Sequence, residues 1–189
     1  MLKKMLMIAA LVLALTPATA GADWLFTPSL GTTFGADANG NEHFTYGASI
    51  GWMGAGIFGW EADLAYTPEF FESSDSDFDF SDSSNVTTAM FNAIVGAPIG
   101  GMFGPGFRPY FSGGIGMLAR EVQSRNDLFD VNSNDFGFNV GAGAIGFMTD
   151  HVGFRGDIRY LRSFEDLERT LDAGKFDYWR GTGGVTFRW

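Results

Sequence analysis

Glu61 and Asp63 stand two residues apart in "GWEADLAY", and Arg155, Asp157 and Arg159 stand two apart in "FRGDIRY". A spacing of two puts side chains on one face of an extended chain. Carboxylates facing guanidiniums can shuttle a proton, line an ion path, or lock together as salt bridges. Arg108, Arg120, Arg180 and Arg188 fall on the same parity of their own segments. Buried charges must be paired, so the reading preferred here is a packed charge network of Glu61, Asp63, Arg108, Arg155, Asp157, Arg159 and Arg180, with Arg120 and Arg188 reaching water at either end.

Other chemistry finds little support. His43 follows Glu42 and His151 follows Asp150, but neither is flanked by a serine nucleophile and an orienting acid, so no catalytic residue is assigned and no enzyme is expected. With no cysteine and two separated histidines, no zinc site is expected. Asp75, Asp77, Asp79 and Asp82 in "ESSDSDFDFSDSS", and the segments Asp37 to Glu42 and Asp130 to Asp135, supply clustered oxygens. All lack the glycine at position six and the glutamate at twelve of a calcium loop. They read as solvated surface loops, and no metal or cofactor is expected.

The elements that position these charges show a period of two. In "VGFRGDIRYLRSF", Val152, Phe154, Ile158, Tyr160 and Phe164 share one parity and Arg155, Asp157 and Arg159 the other. A strand with one apolar and one polar face does this; a helix cannot. Eight such segments are expected, at 24–36, 43–53, 57–70, 86–98, 107–120, 135–149, 152–164 and 176–189. Their connections alternate between short ("GAG", "IGGMFGPG", "TDH") and long and polar, which places all short turns at one end, as in an all-β, eight-stranded antiparallel up-and-down barrel.

The aromatics decide which face points inward. The chain holds 20 Phe, 5 Trp and 5 Tyr, too much volume for the interior of an eight-stranded barrel. The polar parity carries small residues instead, such as Ser49, Gly51, Ser112, Gly114, Gly141 and Gly143. The apolar parity must therefore face lipid. Aromatics gather toward both strand ends, Trp24, Trp60, Phe107 and Trp189 at one and Phe44, Tyr66, Phe136 and Trp179 at the other, as the two interfaces of a transmembrane β-barrel require. Arg162 lies on the lipid parity and must sit above the hydrocarbon. Pro28 and Pro109 lack a ladder donor, so bulges or unpaired positions are expected there. Ser49→Ala in the lumen is expected to be nearly neutral.

Residues 1–20 read as a signal peptide: Lys3 and Lys4, the apolar run "MLMIAALVLAL", then Ala18-Thr19-Ala20, with cleavage before Gly21. The domain expected after it spans 21–189. Removing Lys3 and Lys4 from 12 basic residues leaves 10 against 22 acidic ones, a mature net charge near −12, which argues against nucleic acid as a partner.

The segment "TGGVTFRW" resembles the C-terminal signature of Gram-negative outer-membrane barrels, with Thr182, Gly184, Phe187 and Trp189 at the signature positions. Trp189 departs from the usual Phe. "EADLAYTP", "RPYFSGGIGML", "FGFNVGAGAIGFM" and "GFRGDIRYLR" are similar to strands of the small eight-stranded family that includes the OmpA-like transmembrane domain and the OmpX/Ail-like surface proteins. The resemblance implies insertion by the outer-membrane assembly machinery reading that last strand, and contact with outer-membrane lipid and lipopolysaccharide. The expected role is envelope-structural or surface-interacting, in a monomer with a lumen plugged by charged side chains. A narrow porin is the first alternative and a membrane-embedded lipid-modifying enzyme the second.

Overall fold

The computed structural model of the chain describes residues 22–35, 43–68, 81–100, 104–124, 131–164 and 176–189, with side chains at all of these except 81–84, 121–124 and 131–134. Eight strands form in order: β1 (Ala22–Phe34), β2 (His43–Gly54), β3 (Phe58–Pro68), β4 (Ser81–Gly96), β5 (Gly106–Ser124), β6 (Val131–Phe147), β7 (Val152–Ser163) and β8 (Asp177–Arg188). Each pairs antiparallel with its neighbour, and β1 pairs with β8 to close the barrel. Among the described residues no helix is long and apolar enough to cross a membrane. The crossing elements are strands.

Alternation of side chains across each strand sets the two faces. Along β7, Arg155, Arg159 and Leu161 are buried while Phe154 and Ile158 are exposed. Leu64, Phe111 and Ile158 stand out from the wall at 59%, 73% and 44% exposure, which in water would be a liability and in hydrocarbon is a solvation match. Inside, the concave face of a tightly curved sheet brings Cβ positions together. A Cβ on Gly114 would run into the carbonyl oxygen of Phe91, and one on Gly116 into that of Ala89. Outside, a Cβ on Gly146 would meet nothing within 4 Å.

The β2–β3 connection shows how closely the turns are specified. Ala55 and Gly56 have φ of 50° and 66°, both positive as the central pair of a type I′ turn demands, and with Ile57 they make a three-residue connection between Gly54 and Phe58. The turn closes with the Ile57 amide donating to the Gly54 carbonyl at 3.0 Å. Gly56 also lies against the Arg108 guanidinium, 2.9 Å from where a Cβ would stand.

The prolines are accommodated without bulges. Pro28 stays in register with Ala48 on β2, whereas the β1–β8 ladder passes from Phe26↔Phe187 to Ser29↔Gly184 with Thr27 and Pro28 left out of the pairing and no shift. Pro109 turns its carbonyl to the Ala97 amide at 2.9 Å. A strand residue's nitrogen points the same way as its carbonyl, so the missing donor faces the point where β4 has ended.

Strands β4, β5 and β6 run longer than their alternation indicates. β3 stops at Pro68↔Asn85 and β7 at Ser163↔Gly137. Pairing between β4 and β5 continues to Ser81↔Ser124, with an irregularity between Ser81 and Ser83, and between β5 and β6 to Val122↔Val131. At about 3.3 Å per residue, the 19 residues of β5 against the 11 of β3 leave a three-stranded wall that extends past the ends of the neighbouring strands β3 and β7 on the long-loop side.

Candidate functional site

The lumen is stacked in layers. Toward the short turns lies an apolar layer of Leu25, Met53, Ile94, Tyr110, Ile145 and Phe147. Toward the long loops lies another, of Val86, Met90, Leu118, Leu161, Phe176 and Tyr178. Between them β3, β7 and β8 present the central charges. β3 and β7 are diametrically opposed in an eight-strand ring, so Glu61 and Asp63 look across at Arg155, Asp157 and Arg159.

Glu61 is 1% exposed and is held from two sides. One oxygen accepts from Arg159 Nη2 at 2.8 Å and the other from Arg155 Nη1. Asp157 accepts from Arg155 Nε at 3.0 Å and from Arg159 Nε at 2.9 Å, and Thr182 donates to it at 3.2 Å. The Tyr110 hydroxyl donates to Asp157 at 2.8 Å while accepting from Arg155 Nε at 2.6 Å, and its ring lies 4.8 Å from the same guanidinium. Asp63 accepts from Arg180, whose Nη1 donates to Thr88 at 3.0 Å. Three guanidiniums thus meet three carboxylates, and the cluster is neutral. Buried ion pairs need such satisfied geometry to offset desolvation.

Arg108 is not part of this cluster. It pairs with Asp23 at 3.0 Å in a separate layer at the short-turn end. There Arg188 approaches Asp23 and Asp150 at 3.7 and 3.6 Å, and the Phe147 ring lies against both guanidiniums, 5.1 Å from Arg108 and 4.2 Å from Arg188. At the other end Arg120 pairs with Asp135 and stands 4.8 Å over Phe176. Arg120 and Arg188 were expected in water; at 8% and 5% exposure both are buried and paired. The reason is that a neighbouring or facing strand brings an acid the alternation does not single out, Asp135 on β6 and Asp23 on β1.

Asn139, on the same parity as Gly141 and Gly143, and Asn92, which the sequence reading does not single out, are further members. Asn139 donates to Asn92 at 2.6 Å, and Asn92 donates to Glu61 at 3.3 Å. The signal was present: Asn92 sits between Met90 and Ile94 on the buried parity of β4, where an uncompensated amide would be costly. Ser49 also differs from expectation. Its hydroxyl accepts from Arg155 Nη1 at 3.3 Å, so Ser49→Ala is expected to lower the urea midpoint of unfolding by the equivalent of about 1 kcal/mol instead of being neutral.

The remaining residues singled out in the sequence lie apart. Thr182 faces the lumen, and a Cβ on Gly184 would strike the Pro28 carbonyl. Phe187 and Trp189 face outward at 43% and 59% exposure, and Trp189 exchanges backbone hydrogen bonds with Trp24 at 3.0 and 3.2 Å. His43 is buried at the long-loop rim and His151 exposed in the third short turn. Arg162 lies on the outer wall opposite Asp177, near the end of the β7–β8 ladder, where Tyr160 donates to that carboxylate at 2.8 Å. Residues 1–20, Asp37 to Glu42, Asp75 to Asp79 and Asp130 lie outside the described residues. Among those described, no group of three or more His, Cys, Asp or Glu is placed to hold a metal.

Comparison with known proteins bears on this geometry. The family model for the outer membrane protein beta-barrel domain matches residues 6–187. The 22 kDa outer membrane protein of Rhizobium leguminosarum bv. viciae is 27% identical over 144 residues, covering 72% of this chain. The chain spans about 62% of that relative's length. Neisserial surface protein A aligns with a TM-score of 0.65 at 14% identity, over 90% of this chain and 100% of its own. OprG from Pseudomonas aeruginosa aligns at 0.61 and 12% identity, over 89% and 96%. The N-terminal barrel of Pseudomonas aeruginosa OprF gives 0.56 and 18%, over 89% and 98%. At such identities the likeness is one of fold.

Proposed function

The chain belongs to the outer membrane protein beta-barrel domain family, and from that premise we propose that it is a surface protein of the outer membrane with a closed lumen. Its work is done from the extracellular rim, chiefly by the β4–β6 wall. In this reading residues 1–20 are removed on export. β8, with Thr182, Gly184, Phe187 and Trp189, is the strand offered to the assembly machinery, and the monomer contacts lipid and lipopolysaccharide through its aromatic belts.

One observation carries the reading. Among the described side chains, every charge on the lumen parity has an ion-pair partner: Arg108, Arg120, Arg155, Arg159, Arg180 and Arg188 against Asp23, Glu61, Asp63, Asp135 and Asp157. The central pairs lie between two apolar layers. A continuous water column would have to part both layers and break several pairs together, each break leaving a costly unpaired charge. The lumen therefore serves as a core, and binding is left to the outside, where a raised sheet offers strand edges of the kind that extended partners add to.

Reconstitution in a planar bilayer tests this. No steady, large conductance is expected from the purified protein at neutral pH. Frequent long-lived openings would favour the narrow porin instead. Trimming the wall to the height of β3 should leave the bilayer silent and the folded fraction intact while abolishing surface-dependent phenotypes such as adhesion. Unchanged adhesion would move the function off the wall.

A further inference from the structure

A small polar cavity lies within the central layer, lined by residues that include Ser29, Ser49, Thr182, Asp63, Arg155 and Arg159. Its volume is about 10 Å³, close to that of one water-sized sphere. Two donors on side chains that line it, Arg155 Nη2 and Arg159 Nη1, have no acceptor among the described residues, although those side chains are only 4% and 2% exposed. Arg159 Nη1 stands 3.9 Å from Asp63 Oδ1, too far for a direct hydrogen bond.

We propose that this cavity is a binding site for a single water molecule, which completes the central layer by accepting from Arg155 and Arg159 and donating to Asp63. The lining chooses the ligand class. A halide would gain the two guanidinium donors but lie against Asp63 and Asp157. An alkali cation would gain the carboxylates but lie against two arginines. Only a group that both accepts and donates satisfies the whole wall, and buried waters of this kind typically make about three hydrogen bonds. The site rests on the geometry of the central layer and not on whether the barrel conducts.

The test is crystallographic, on the folded barrel grown in parallel in sodium chloride, sodium bromide and rubidium chloride. A water peak at ordinary hydrogen-bond distance from Arg159 Nη1 is expected, with no anomalous signal from bromide or rubidium at that position. An empty cavity, or either ion in it, overturns the proposal. In solution, water-oxygen relaxation dispersion on the micelle-bound protein should count one fewer long-lived water in Ser29→Val, whose methyl groups fill the cavity, and no loss in Ser29→Ala. Equal counts in Ser29→Val and wild type would also overturn it, and if Ser29→Val does not fold the wild-type crystals still decide.

Discussion

Glu61→Ala is expected to destabilise the folded barrel by about 3–5 kcal/mol, the cost of removing one partner from a buried ion pair and leaving the other uncompensated. The effect belongs at the high end because Glu61 answers two guanidiniums, Arg155 and Arg159, and also accepts from Asn92. Asp23→Ala, by contrast, removes a partly exposed carboxylate whose side chain is 16% accessible, and rim water can solvate Arg108 in its place. Urea titration in lipid, read by the mobility shift of folded against boiled protein, orders the two. If Glu61→Ala unfolds at the same urea concentration as wild type, the central layer does not hold the barrel together. The same variant in a planar bilayer should open more often, since two arginines are then free to move.

Replacing Leu64 or Ile158 with arginine is the complementary experiment, performed on the outer wall. Both stand mid-strand and exposed, at 59% and 44%, and a charge at the bilayer midplane of a transmembrane barrel costs about 2–4 kcal/mol. Arg162 supplies the internal control. It occupies the same face of β7 near the rim, opposite Asp177, where the cost falls to about 0–1 kcal/mol, and Arg162→Leu should change little. A water-soluble barrel would accept all three changes equally. Arg variants at Leu64 and Ile158 that refold into bilayers as completely as wild type would mean that the apolar parity does not face lipid.

Period-two alternation made the architecture legible because a membrane barrel imposes opposite solvents on its two faces. β2 and β7 end within a residue of the bounds that alternation gives, and the turn "GAG" becomes a tight type I′ turn. Alternation stops carrying information where both faces meet water. Ser81 to Asn85, Glu121 to Ser124 and Val131 to Asn134 are strand by backbone pairing, yet no apolar face marks them, so their polar composition reads as loop. The same limit hid Asp23, at the start of β1, and Asp135, where the alternation of β6 begins. The cross-lumen partner of Arg108 depends on strand stagger, and Asp135 meets Arg120 only through the β5–β6 register, properties of the closed barrel that no single segment contains.

The ties between Glu61 and Arg155 or Arg159 join segments 94 and 98 residues apart, and they cross the lumen where wall hydrogen bonds run only between neighbours. A wall bond can form as each hairpin arrives. A lumen tie needs β3 and β7 already facing one another, and that geometry exists only when β8 has reached β1. Until then a partly built sheet in lipid carries Glu61, Asp63 and Arg180 without their cross-lumen partners, and Arg155 and Arg159 with only Asp157 on their own strand between them. Half-barrels are therefore penalised twice, by open edges and by bare charge, and insertion and closure should occur in one kinetic step with a late, compact transition state. Stopped-flow refolding into vesicles should accordingly show Glu61→Ala acting on the folding limb as well as on unfolding.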